Sequence, residues 1–210
     1  MAGGLAILYL RRLVEIADDA APLAIAAGAL LGALCADLVT GLIHWACDTW
    51  GSEETPWLGA GVIQAFRQHH RDPQAIVHHD WIDVNGEGAL GAATAFLLGL
   101  PIAWQLASGG HAFWYSGLCS LICVAGLANQ LHQWAHVPAP PAPVRALQRL
   151  GAILSPSQHA RHHRAPYTTR YCIATGWLNG SLDTIRFWRA LERGIEAVTD
   201  AEARCKRERA

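Results

Sequence analysis

Charge is scarce in this 210-residue chain: Asp, Glu, Lys and Arg make up 16% of it, against 52% apolar residues. A net charge of −1 and a pI near 6.8 exclude the basic excess that nucleic-acid binding demands. The six cysteines form no CxxC pair, so no disulfide framework and no Cys₄ cluster is expected, and all six read as reduced thiols. Cys119 and Cys123, one turn apart inside an apolar run, read as packing residues. There is no Rossmann glycine pattern and no haem-attachment motif, so electrons for any redox step must come from a separate partner. No Glu stands between paired histidines, which removes the HEXXH zinc hydrolases. No internal repeat is present. The N-terminus does not suit a signal peptide, because its apolar run precedes the charges Arg11 and Arg12.

The apolar residues that are present are blocked. Pro22 to Ile43 holds one charge, Asp37, and neither 88–107 nor 112–131 holds any. At about 1.5 Å per residue each run covers roughly 30 Å, the thickness of a hydrocarbon core. The expected fold is an all-α membrane protein with about three transmembrane helices (22–43, 88–107, 112–131) and amphipathic interfacial helices. Leu5, Leu8, Leu13 and Ile16 with Arg11, Arg12 and Glu15 suit one such surface helix, Val144 to Leu154 a second and Leu182 to Val198 a third. Pro138 to Pro143 reads as a stiff connector, and the tail 199–210 as frayed. Trp45, Trp50, Trp57, Trp81, Trp134 and Trp177 fit interface anchors. The whole chain, 1–210, is expected to be one domain.

Histidine is the residue in excess. Nine of the eleven fall into tight groups: His44 with Asp48, His69-His70, His79 with Asp80, His132 and His136, and His159-His162-His163. His78 is ambiguous, and His111 stands alone in the short link between the second and third spans. Three crossings place all nine on one side of the membrane. Of the 16 Lys and Arg, only Arg11 and Arg12 lie on the opposite side, so the histidine side is expected to be cytoplasmic in a multi-pass protein. Neutral imidazoles in such number point to transition metal, and nine exceed what one ion takes, so two metals are expected. Asp37, His44 and Asp48 share a helical stripe with Gly41. Asp37 is the deeper carboxylate and suits an acceptor that orients an imidazole N–H. Asn129, His132 and His136 repeat the spacing on the third span.

In order along the chain, HWACDTWG, FRQHHRDP, HHDWIDVNG, NQLHQWAH and HARHHRAPYTTRYCIATGWLN resemble the membrane lipid desaturases that include plasmanylethanolamine desaturase and a plant plastid fatty acid desaturase. The resemblance runs from about Gly28 to Glu192. It implies a centre of two iron ions held by histidine, which uses O₂ and two electrons to remove two hydrogens from a lipid chain. By that resemblance His44, His69, His70, His79, His132, His136, His159, His162 and His163 are the ligands and Asp48 a further one, with Asp37, Asp80 and Asn129 supporting them. The implied partners are a phospholipid or fatty acyl substrate and an external electron donor, a b-type cytochrome or a ferredoxin. HHRDP with His79-Asp80 and Asn85-Gly86 is similar to the plasmanyl type, whereas RAPYTTRYCI is similar to the plant type. The expected product is therefore a vinyl-ether plasmalogen made from a plasmanyl (1-O-alkyl) phospholipid. The alternatives are an acyl-chain desaturase, a hydroxylase and, from another class, a non-catalytic membrane metal-binding or transport protein.

Overall fold

The computed structural model describes residues 2–17, 22–108, 111–199, 201 and 203. Among these, all regular structure is helical: α1 (Ala2–Ala17), α2 (Pro22–Thr49), α3 (Gln64–Arg71), α4 (Trp81–Ser108), α5 (Ala112–Gly126), α6 (Ala128–His136), α7 (Ala142–Arg149), α8 (Pro156–His162), α9 (Asn179–Thr184) and α10 (Phe187–Val198). A π turn (Gly59–Ile63) precedes α3, and a 3₁₀ turn (Ala75–His78) follows it. Of the tail expected to fray, 199–210, the described residues Thr199, Ala201 and Ala203 are hydrogen-bonded and Ala203 is buried, and the rest lies outside the described residues.

The chain forms two compact units, Met1–Val39 with Asp80–Gln130 and Thr40–His79 with Leu131–Ala210. In the first unit, Tyr9 of α1 packs against Phe96 of α4 and Tyr115 of α5, with Leu5, Ala6 and Leu13 on the same cluster. Tyr9 donates to the Phe96 carbonyl at 2.7 Å and its own carbonyl accepts from Tyr115 at 3.0 Å. The first helix therefore docks on α4 and α5 through Leu5, Tyr9 and Leu13, while Leu8, expected on the apolar face, is exposed. Side chains of the expected residue Ile16 lie outside what is described.

Small residues bring α2 and α5 together, as membrane helix pairs require when no hydrophobic force drives them. A Cβ on Gly28 would stand 2.0 Å from the Phe113 carbonyl oxygen, and one on Gly32 2.1 Å from that of Gly117. Ser116 and Ser120 donate across this seam to the carbonyls of Ile25 (2.9 Å) and Ala29 (2.7 Å).

Two helices, Pro22–Thr49 and Trp81–Leu106, are long and apolar enough to cross a membrane; the pair α5–α6 makes a third if counted as one span. The expected limits shift. The first span continues to Thr49, so His44 and Asp48 ride on the helix itself. The second begins at Trp81, because the Asp80 carboxylate caps it by accepting from the Ile82 (2.8 Å) and Asp83 (2.9 Å) amides. The third is bent by 46° at Leu127, next to Gly126, where the α5 backbone sits against Ala92 and Gly88 of α4.

In the second unit, the single helix expected over Leu182 to Val198 is two. Arg186 adopts a left-handed backbone (φ 55°) between α9 and α10. The helix expected from Val144 begins at Ala142, with Pro143 in its first turn, and ends at Arg149 before the left-handed Gly151. Trp45, expected as an interface anchor, is instead 5% exposed and packs beside Trp50 and Trp188; Trp57 and Trp81 are exposed.

Candidate metal centre

Four helices supply the donors, all from residues of the second unit. His44 and Asp48 stand one turn apart on α2, as do His132 and His136 on α6. Helix α3 ends in His69 and His70, and α8 carries His159 and His162, with His163 immediately after it. These residues converge on two groups. One is His69, His132, His136, His159 and His163; the other is His44, Asp48, His70 and His162; within each, the donor atoms lie within 4.8 Å of one another. The doublets divide between them: His69 and His163 face the first group, His70 and His162 the second. Consecutive residues thus hold the groups side by side, with the His162 and His163 rings 5.5 Å apart.

The spacing suits ligation. In the first group, His159 Nε2 lies 2.7 Å from His132 Nε2 and 2.9 Å from His163 Nε2, and His136 Nε2 lies 3.3 Å from His132 Nε2. In the second, Asp48 Oδ2 lies 3.0 Å from His70 Nε2, 3.3 Å from His44 Nε2 and 3.5 Å from His162 Nε2. A metal about 2.0–2.1 Å from two nitrogens at a right angle sets them about 3 Å apart, which is this spacing. Several buried donor atoms, among them His69 Nε2, His44 Nε2 and Asp48 Oδ1, have no hydrogen-bond partner. Buried polar atoms left so are costly unless something else satisfies them, and a bound metal ion would. The donor set, eight imidazoles and one carboxylate, fits two first-row transition ions.

Two backbone carbonyls orient the second group. Tyr171 O lies 3.1 Å from His44 Nδ1, and Thr169 O lies 2.8 Å from His162 Nδ1. Each imidazole must donate from Nδ1 there, which leaves the Nε2 lone pair free. The loop that presents these carbonyls is pinned. Asn179 accepts from the Cys172 amide at 3.0 Å and donates to its carbonyl at 2.9 Å, Arg170 pairs with Asp183 at 3.0 Å, and the Tyr171 hydroxyl donates to the Tyr167 carbonyl at 2.9 Å. Burial pushes the His69 and His163 imidazoles down to about 2, helped by their histidine neighbours, and His159 well below its usual range. They are neutral imidazoles at physiological pH. Burial, then the nearby Asp48 charge, raises Tyr171, which stays a protonated donor.

The structure leaves some expected residues elsewhere. His79 belongs to neither group: it is exposed, and its carbonyl accepts from Gln133 Nε2 at 3.3 Å. Asp80 is exposed and spends its carboxylate on the α4 N-terminus, where unpaired amides attract it. Asp37 is fully buried and Asn129 half-buried. His78 and His111 are exposed. For His44 and His162 the orienting acceptors are the backbone carbonyls of Tyr171 and Thr169. The sequence signal for them was the long string after His163, whose backbone role no residue type announces.

A model of the lipid desaturase domain matches residues 33–206. The chain belongs to the lipid desaturase family. It is 41% identical over 170 residues to plasmanylethanolamine desaturase of Myxococcus xanthus (81% of this chain, 60% of the relative) and 40% identical over 184 residues to plasmanylethanolamine desaturase 1 of Mus musculus (84% and 67%). To the chloroplastic fatty acid desaturase 4 of Arabidopsis thaliana it is 38% identical over 163 residues (77% and 48%). The chain thus spans about half to two thirds of the length of these relatives. No solved structure matches it significantly.

Proposed function

We propose that this family member is a membrane-bound, O₂-dependent lipid desaturase whose two iron ions are held by the two donor groups. His69, His132, His136, His159 and His163 hold one ion, and His44, Asp48, His70 and His162 the other. The observation that carries this reading is the pairing of a five-donor and a four-donor group through the split doublets His69-His70 and His162-His163. Iron bound there would supply the redox chemistry by which O₂ and two electrons take two hydrogens from a lipid chain. The residues themselves do the positioning. Thr169 and Tyr171 carbonyls keep His162 and His44 in the tautomer that offers Nε2, and burial keeps bulk water away. Asp48 brings the one anion to a donor set that is otherwise neutral, which limits the cost of burying charge. We further propose that the two units act as one desaturase domain, since the family match runs through both, that the histidine side faces the cytoplasm, and that an external b-type cytochrome or ferredoxin delivers the electrons.

The substrate favoured is a plasmanyl phospholipid and the product a vinyl-ether plasmalogen, on the strength of the two relatives named for that reaction. Expression in a host supplied with 1-O-alkyl phospholipid tests it: the product should release a fatty aldehyde in mild acid. An acid-stable lipid lighter by two hydrogens would assign acyl chains instead, the reading that the similarity to the plant desaturase favours. No loss of hydrogen from any lipid, with iron bound, would overturn the desaturase reading.

A further inference from the structure

A cavity of about 500 Å³ opens in the second unit between α8 and the Thr169–Asn179 loop, lined by Ser157, Gln158, Arg161, Arg170, Gly176 and Trp177. Its lining contains two guanidinium groups and no carboxylate. Asp183 pairs with the Arg170 guanidinium at 3.0 Å, whereas Arg161 is exposed and has no ion-pair partner among the described residues. Gln158 Oε1 is buried there without a hydrogen-bond partner, lying where a Cβ on Gly176 would meet it at 2.6 Å. The left-handed Gly176 (φ 73°) therefore serves a close approach that a side chain would block. An unsatisfied acceptor beside two cations calls for a ligand that brings both negative charge and a donor.

We propose that this cavity binds the phosphodiester headgroup of the lipid on which the chain acts. The inference rests on the lipid desaturase reading and adds the headgroup contact to it. Arg161 and Arg170 are placed for the phosphate oxygens, Ser157 for a further hydrogen bond, and Gln158 Oε1 for a donor on the alcohol side of the headgroup. The cavity volume suits a headgroup and not a protein surface. Its position suits the chemistry. Arg161 immediately precedes His162 on α8, and Arg170 immediately precedes Tyr171, whose carbonyl holds His44. A headgroup fixed there places its chain beside the donor groups, which is the orientation that removal of hydrogen from one chosen carbon requires.

The test uses the full chain, stripped of metal, in neutral detergent micelles. Radiolabelled 1-O-alkyl-2-acyl phospholipid, the matching diradylglycerol that lacks phosphate, and inorganic phosphate are each titrated against it. Wild-type protein should bind the phospholipid saturably, Arg161→Gln should weaken that binding about tenfold, and Arg161→Lys should recover most of it. The diradylglycerol should not distinguish the variants. Equal phospholipid binding by wild type and Arg161→Gln would overturn the proposal. Inorganic phosphate binding as tightly as phospholipid would also overturn it, by making the cavity a free-anion site. Since binding is read without metal, the two readings separate. A chain that binds phospholipid through Arg161 but desaturates nothing upholds the headgroup site and sinks only the desaturase, whereas turnover with a KM untouched by Arg161→Gln sinks only the headgroup site.

Discussion

Asp48 touches three imidazoles and is the sole carboxylate of the two donor groups. A buried carboxylate persists only where paired, and removing its charge leaves the second group with three neutral donors. If the two groups hold iron as proposed, Asp48→Asn should lower it from about two to about one per chain by elemental analysis, because the first group keeps all five histidines. His79→Ala, His78→Ala and His111→Ala should each retain two, since none reaches a group. Loss of iron in His79→Ala alone would restore it to the ligand set. Asn179 is a different kind of residue, because it touches no donor and fixes the loop that orients two of them. Asn179→Asp keeps the acceptor for the Cys172 amide but turns an oxygen toward the Cys172 carbonyl. The expected cost is about 1–3 kcal/mol in thermal unfolding, with weakened iron retention. Unchanged iron affinity in the face of that destabilisation would mean the Thr169 and Tyr171 carbonyls hold their place without the clamp.

Glycine carries the argument at the scale of helices. Alanine in place of glycine in a helix ordinarily stabilises by up to about 1 kcal/mol. At Gly28 and Gly32 the added Cβ meets α5 backbone at 2.0 and 2.1 Å, and backbone cannot swing aside as a side chain can. Gly28→Ala and Gly32→Ala should therefore lower the melting temperature in detergent, by about 1–3 kcal/mol of overpacking, while Gly91→Ala on α4, with nothing within 4 Å, should leave it level or raise it. A rise in all three would show that α2 and α5 are not in contact as described. The helices themselves were legible in the sequence, since long charge-free runs have few other uses. Their breaks were not. The bend at Leu127 and the turn at Arg186 interrupt runs whose apolar spacing is continuous, and both depend on contacts made elsewhere: Gly126 on α4, and Asp183 on Arg170. Periodicity reports a face and is silent on whether the helix behind it is whole.

At the scale of the whole chain, the donors come from segments as far apart as His44 and His163, yet all lie in the second unit. That the histidines would gather into close groups able to hold metal could be read from their spacing. The division of His69-His70 and His162-His163 between two groups could not, because it depends on how α3 and α8 are turned against their neighbours. An ion that binds only the folded arrangement stabilises it, by about 2.7 kcal/mol at a free concentration a hundred times Kd. That stabilisation should concentrate where the ligands are. Amide hydrogen exchange of iron-loaded and chelated protein should therefore differ in α3, α8 and the 169–179 loop, with exchange slowed by about a hundredfold where opening exposes a ligand. Helices α1, α4 and α5, whose core is the Tyr9–Phe96–Tyr115 cluster, should exchange alike in both forms. Equal slowing in both units would mean that the chain opens as one cooperative body, and absence of slowing in α3 and α8 would mean that iron binds outside the two groups.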